Sequence, residues 1–143
     1  MYEGARDLFL PLIEEVFNRG NFDVADELVA DEFFNHEAPE SPGPEGFKAT
    51  ARWLREAFPD YHAELQECVV DGDLLAARLV VSGTHQGSFM GVPGTGRFFS
   101  VQHMHMYRVE DGKLTEHWAC RDDLGQLRQL GLLPDVGPAS RIT

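Results

Sequence analysis

The stretch Val101-Gln102-His103-Met104-His105-Met106-Tyr107-Arg108-Val109-Glu110-Asp111-Gly112-Lys113-Leu114-Thr115-Glu116-His117-Trp118-Ala119-Cys120-Arg121-Asp122 decides how this chain is read. Two strand-like runs flank Asp111-Gly112, the dipeptide of a tight hairpin turn. With those two residues at the centre of the turn, Glu110 pairs with Lys113 and pairing proceeds outward. His105 is then expected opposite Trp118, His103 opposite Cys120, and Val101 opposite Asp122. Because strand side chains alternate, His103, His105 and Tyr107 share a face with Glu116, Trp118, Cys120 and Asp122. Gln102, Met104, Met106 and Arg108 fall on the other face, beside His117 and Arg121.

Two histidines and two carboxylates on one face suit proton transfer better than core packing. Asp122 is expected diagonal to His103, roughly 5–8 Å away. A carboxylate among aromatic neighbours loses hydration and titrates nearer neutrality, and a neighbouring histidine can orient a carbonyl or relay the proton. A structural reading stands beside this one: a His-x-His strand is often solvent-facing or a hydrogen-bonded pair. Asp122 also stands where a strand meets a helix, a place where Asp serves as N-cap. Asp123 competes for that cap, and strand parity favours Asp122 for chemistry and Asp123 for capping. A bulge anywhere in the hairpin reverses this assignment. His103, His105 and an acid have the alternating spacing of metal ligands, but no third histidine lies at a supporting local spacing, and no metal is expected.

Outward from the hairpin, residues 61–70 and 74–85 read as two further strands around Asp71-Gly72-Asp73. Upstream, Leu8, Phe9, Leu12, Ile13, Val16 and Phe17 recur at helical spacing over residues 5–18, with Pro11 expected to kink that helix. A short helix is expected over residues 23–29, with Asn21 as a candidate cap. A third is expected over residues 44–58, opened by Pro44 and carrying Phe47, Ala51, Leu54 and Phe58 on one stripe. Residues 124–132 return to helical periodicity, and the residues beyond are expected to fray. These elements predict one α+β domain over residues 1–143. The loop over residues 87–96, rich in Gly and Pro, reads either as a pocket lid or as a structural turn.

Composition narrows the function. A net charge of −12 and a pI near 4.7 argue against nucleic acid, which needs clustered Lys and Arg. Two cysteines imply no disulfide framework. No apolar run approaches the roughly 20 residues that span a bilayer, and the first residues lack the pattern of a signal peptide. A cytoplasmic protein without a membrane partner is expected.

Two motifs carry a family resemblance. Gly83-Thr84-His85-Gln86-Gly87-Ser88-Phe89-Met90-Gly91-Val92-Pro93-Gly94-Thr95-Gly96-Arg97 is similar to the G-T-H-x-G-x-F-x-G-x-P-x-T-G-R segment of SnoaL-like proteins. The run from Arg108 to Trp118, followed by Asp122 and Leu127-Arg128-Gln129-Leu130-Gly131, is similar as well. The chain therefore resembles the SnoaL-like polyketide (ester) cyclases, from the first helix to Leu133. The resemblance implies a nuclear-transport-factor-2-like (NTF2-like) cone: N-terminal helices packed on a curved, mainly antiparallel sheet around a pocket. It also implies intramolecular aldol ring closure of a small apolar, polyketide-like molecule, without a cofactor, in a homo-oligomer. Asp122 matches the family's acid/base aspartate and His105 its strand histidine. His103 stands where those cyclases tend to carry an amide. Asn35 matches an asparagine after the second helix, although it could equally terminate a helix. Asn35, His36, Tyr107 and Trp118 are the candidate substrate contacts. The rival readings are an isomerase or epoxide hydrolase on the same fold, or a non-catalytic binder of a small hydrophobic molecule.

Overall fold

The computed structural model describes residues 4–133; the expected fraying beyond residue 133 lies outside them. Helix α1 (Ala5–Pro11) runs without a break into a π-helical segment, Leu12–Asn18. Pro11 has no N–H to donate and crowds the preceding turn. The expected kink appears instead as a change of helical pitch directly after it. Leu8, Phe9, Leu12, Ile13 and Val16 are buried along its length.

The next helix is shorter than expected: a 3-10 turn at Phe22–Val24 leads into α2 (Ala25–Leu28). Asn21 does not cap it, because its amide donates to Glu15 instead (2.9 Å). Strand β1 (Val29–Asn35) follows, in a segment whose sequence shows no clean alternation. Its burial is irregular for a physical reason. β1 lies parallel to β5, with Phe34 opposite Glu116 and Asn35 opposite His117, and the register shifts between Val29 and Phe34.

Helix α3 (Gly43–Ala57) has Pro44 in its first turn and buries Phe47 and Ala51 as its stripe requires, with Phe58 buried just beyond its end. Strands β2 (His62–Asp71), β3 (Leu74–Thr84), β4 (Phe98–Glu110) and β5 (Lys113–Arg121) form antiparallel neighbours in a five-stranded sheet of order β1-β5-β4-β3-β2. Along β3 every second residue is buried, the signature of a sheet with one face on the core. The helices pack on that face, so the architecture is α+β, as the order of elements predicts.

The loop after β3 is pinned rather than loose. Backbone N–H groups of Gln86 and Gly87 both donate to Ala57 O (3.0 Å each). A side chain at Gly87 would collide with the Glu56 carbonyl oxygen, which explains a glycine at that point of the motif.

The β4–β5 hairpin decides where the chemistry goes. Asp111 and Gly112 both have positive φ (52° and 74°), the conformation of a type I′ turn. Glu110 pairs with Lys113 and Val109 with Leu114, as expected. Beyond these pairs the register slips: Arg108 faces Glu116, leaving Thr115 as an extra residue on β5. Every later pair is displaced by one. Tyr107 faces His117, Met106 faces Trp118, His105 faces Ala119, and His103 faces Arg121.

Candidate active site

The bulge at Thr115 exchanges the two faces of β5. His117 and Arg121, expected outside, line an inner chamber with His103, His105 and Tyr107. Trp118 and His36, expected as pocket contacts, stack on each other on the opposite face, with ring centroids 4.8 Å apart and planes 10° apart. His36 Nε2 lies 2.7 Å from Glu116 Oε2, and Arg108 Nε donates to the other oxygen of Glu116 (3.0 Å). These contacts knit the outer face and leave both residues away from the chamber.

Asp122 takes the capping role expected of Asp123, while its charge still acts on His103. Its carboxylate accepts the backbone N–H of Gly125 (2.8 Å), and its backbone carbonyl accepts from Gln126 N. It is the N-cap of α4 (Asp123–Gln129). A Cβ at position 125 would collide with this carboxylate, so the glycine there serves the cap. Asp123, expected to cap, lines an outer vestibule instead. Among the described residues no carboxylate lines the inner chamber. The Asp122→Asn variant keeps the cap, because Asn caps as well as Asp, so a change in its turnover reads the carboxylate alone. Asp122→Ala should lose about 1 kcal/mol of stability in urea unfolding. A hundred-fold loss of turnover in the asparagine variant would place the carboxylate in the chemistry.

Within the chamber the side chains form a chain of hydrogen bonds. Asn35 Oδ1 lies 2.8 Å from His117 Nδ1. His117 Nε2 lies 2.8 Å from His105 Nδ1, and His105 Nε2 lies 3.2 Å from His103 Nδ1. Tyr107 stacks on His117 with centroids 4.4 Å apart and meets Phe9 from the N-terminal helix. Both nitrogens of His105 and His117 are engaged in this chain, and among the described residues no set of three or more ligand-type side chains converges as a metal site would require.

Burial keeps these imidazoles uncharged. It pushes His103 down to about 4 and His117 down to about 3, with the Arg121 guanidinium acting in the same direction and Asp122 opposing it at His103. His105 is held well below the usual histidine range by burial, then by the neighbouring histidines. Burial also raises the Tyr61 and Tyr107 phenols above their ordinary value. The result is a row of uncharged, weakly basic rings in an apolar wall.

This arrangement has a consequence for stability. On acidification the unfolded chain, with histidines near pH 6.5, binds protons before the folded chain does. Stability from the neutral rings is thus complete above about pH 6.5 and declines as pH falls towards about 4. Urea midpoints measured across that window should decline, and His103→Gln, with one buried imidazole fewer, should decline less steeply. Equal slopes would separate acid lability from these rings.

The inner chamber is small, about 60 Å³, and the outer vestibule is about 380 Å³. Asn35, Thr50, Leu54 and Arg121 belong to the walls of both. The vestibule is completed by Trp53 and Leu127 and by Phe89 and Met90 from the pinned loop. The space beside the histidines is thus much smaller than the vestibule that adjoins it.

Sequence reasoning thus placed Asn35, His103, His105 and Tyr107 at the chamber and missed His117 and Arg121. No local feature of the hairpin marks the bulge, and the pairing of β1 with β5, which brings Asn35 to His117, is non-local.

Helices packed on an open, mainly antiparallel five-stranded sheet, with a histidine-lined chamber, define an NTF2-like fold. The family model described as SnoaL-like polyketide cyclase matches residues 8–130. The aklanonic acid methyl ester cyclase DnrD of Streptomyces peucetius is 39% identical over 122 residues, 82% of this chain and 84% of that protein. The nogalonic acid methyl ester cyclase of Streptomyces nogalater is 36% identical over 120 residues, 80% of this chain and 89% of that protein. Among solved structures, IdmH, a putative polyketide cyclase from Streptomyces antibioticus, superposes with a TM-score of 0.77 at 38% identity, covering 88% of this chain and 97% of its own. The chain belongs to the SnoaL-like polyketide cyclase family.

Proposed function

We propose that this protein closes a carbocyclic ring in a polyketide methyl ester by intramolecular aldol addition, using only its own side chains. The observation that carries this reading is the row of neutral imidazoles at the wall of an apolar chamber, with Arg121 beside them. A neutral imidazole can take a proton from a carbon flanked by carbonyl groups. The enolate then attacks a ketone within the same molecule, and the proton passes to the new alkoxide. Arg121 and the Tyr61 and Tyr107 phenols, which line the same chamber, would hold the oxyanion. Asp122, His105 and His103 are the proposed acid/base groups and Asn35 and Tyr107 the proposed chamber contacts. The vestibule would hold the aromatic body of the substrate. The methyl esters named for the relatives supply the substrate class.

Aldol closure conserves mass, which makes the test simple. Purified protein is incubated with an anthraquinone-type polyketide methyl ester bearing a free side-chain ketone, and products are separated by chromatography with mass detection. A product of unchanged mass and altered retention is expected. No such product, where the S. peucetius cyclase yields one from the same ester, would overturn the reading. A homo-oligomer and a cytoplasmic site of action belong to the same proposal; light scattering of the pure protein and fractionation of the producing cell test them. No helix among the described residues is long and apolar enough to cross a membrane.

A further inference from the structure

One buried histidine takes no part in the chamber. His85, from the motif Gly83 to Arg97, is fully buried, and its ring packs against Phe58 and Phe89. Geometry fixes its tautomer. The backbone N–H of Thr95 is directed at His85 Nδ1 (3.3 Å), and a backbone N–H can only donate, so Nδ1 is bare. Thr95 Oγ1 lies 3.1 Å from the same nitrogen and must donate its hydrogen there, while it accepts from Arg97 N (3.2 Å). A ring with a bare Nδ1 carries its proton on Nε2. That N–H is sealed from solvent and has no hydrogen-bond partner among the described residues. The ring stands at 79° to Phe89, an orientation that offers at most a weak contact between N–H and aromatic face. A leucine or phenylalanine would fill this apolar site without burying an unpaired donor. What the imidazole adds is an acceptor for Thr95.

Thr95 belongs to the returning limb of the loop between β3 and β4. The neck of that loop is closed by His85 N donating to Arg97 O (2.9 Å) and Gly96 N donating to His85 O (2.8 Å). Its tip is closed by the mutual pair of Phe89 and Val92 (2.9 Å each way). The outgoing limb is held by Gln86 and Gly87 on Ala57 O, and the returning limb by Thr95 on the His85 ring. Between neck and tip, Phe89 and Met90 line the vestibule, where Phe89 meets the Trp53 ring of α3 with centroids 5.2 Å apart. Trp53 is 47% exposed and Met90 67%, large apolar surfaces gathered at a cavity rather than scattered singly. None of the three lines the inner chamber.

We propose that His85 is a positioning residue: with Thr95 it holds residues 86–96 as a fixed wall of the vestibule, so that Trp53, Phe89 and Met90 form a preset slot for a flat, fused-ring body. This rests on the cyclase reading above and adds the residue that shapes the specificity end of the site. The wall is in place before a ligand arrives, so little ordering is lost on binding. Slot and histidine chamber are separate spaces. Loosening the wall therefore weakens ground state and transition state alike, which raises KM and leaves kcat.

The probe is an anthraquinone methyl ester without the side-chain ketone, which can bind but cannot close a ring. In a Trp118→Phe background Trp53 is the sole tryptophan, and its fluorescence should be quenched as the probe binds. His85→Leu should raise the Kd roughly tenfold through lost preorganisation, and its Thr95 amide should exchange with deuterium much faster. His85→Asn, whose Oδ1 can take the place of Nδ1, should restore both. With an ester that is turned over, KM should follow Kd while kcat stays within about twofold. Thr95→Val, which removes the hydroxyl half of the contact, should move Kd in the same direction and decides the matter if His85→Leu does not fold. An absence of quenching, an unchanged Kd in the folded variants, or an asparagine no better than leucine overturns the inference. So does a kcat that falls as far as KM rises. Failure of ring closure beside intact, His85-dependent probe binding would instead overturn the cyclase reading and leave the slot standing.

Discussion

Replacing His103 with glutamine should slow ring closure by on the order of 10²–10⁴-fold, the span of general acid–base catalysis. The substitution is chosen to isolate the proton. A glutamine amide can still donate a hydrogen bond towards His105 Nε2, and it occupies much of the same volume, but it cannot take up a proton. The fold should tolerate the change, because His103 makes one hydrogen bond, to His105, and burial already disfavours its charged form. The measurement is kcat and KM on the methyl ester, with near-ultraviolet circular dichroism to show that the packing is intact. A large drop in kcat at nearly constant KM is expected. Undiminished kcat would move the proton-transfer step to another group and leave the imidazole row as a structural feature. In the wild type the row is still unprotonated at mildly acidic pH, so turnover is expected to persist well below pH 6.5, where an ordinary histidine base would be lost.

Arg121→Met should cost on the order of 10²–10³-fold in kcat, the cost of losing a preorganised oxyanion donor. Arg121 lies opposite His103 across the β4–β5 ladder and belongs to the walls of both chamber and vestibule. Its ion pair with Glu37 is long, 3.8 Å from Nη1 to Oε1, beyond hydrogen-bonding distance, so its donors are available to a ligand. Removing it has a second effect with a definite sign. Arg121 holds down His103 and His117 by charge repulsion, so the methionine variant should lose activity at a higher pH than the wild type does. Arg121→Lys keeps the charge without the planar fork and should leave the pH profile nearly unchanged while recovering only part of the rate. A methionine variant with wild-type kcat and an unmoved acid limb would exclude Arg121 from the oxyanion site.

Much of the architecture was legible because it is local. Asp111-Gly112 specifies a type I′ turn through positive φ at both positions, and the alternation along residues 74–84 follows from one buried sheet face. The stripe Phe47, Ala51, Leu54, Phe58 likewise identifies α3. The motif around Gly83 to Arg97 pointed to the right family, and its glycine at 87 proves to be a close approach to the end of α3. The resemblance also brought Asn35 and His105 forward as site residues, and strand parity had already singled out His103 with His105.

What the sequence determined by itself, then, was the set of elements, the turn, the family, and the four side chains that do reach the chamber. The tertiary structure alone decided which face of β5 meets them. A period-two pattern inverts with one inserted residue, and Thr115 is that residue. The bulge brings His117 and Arg121 inward and sends Trp118 out to stack on His36, while Asp122 turns to the first N–H groups of α4. Nothing between residues 113 and 121 marks that point, because the register is settled by non-local partners. β1 must bring Asn35 against His117 while β4 holds Tyr107 on its other side, and those contacts exist only once the sheet has assembled.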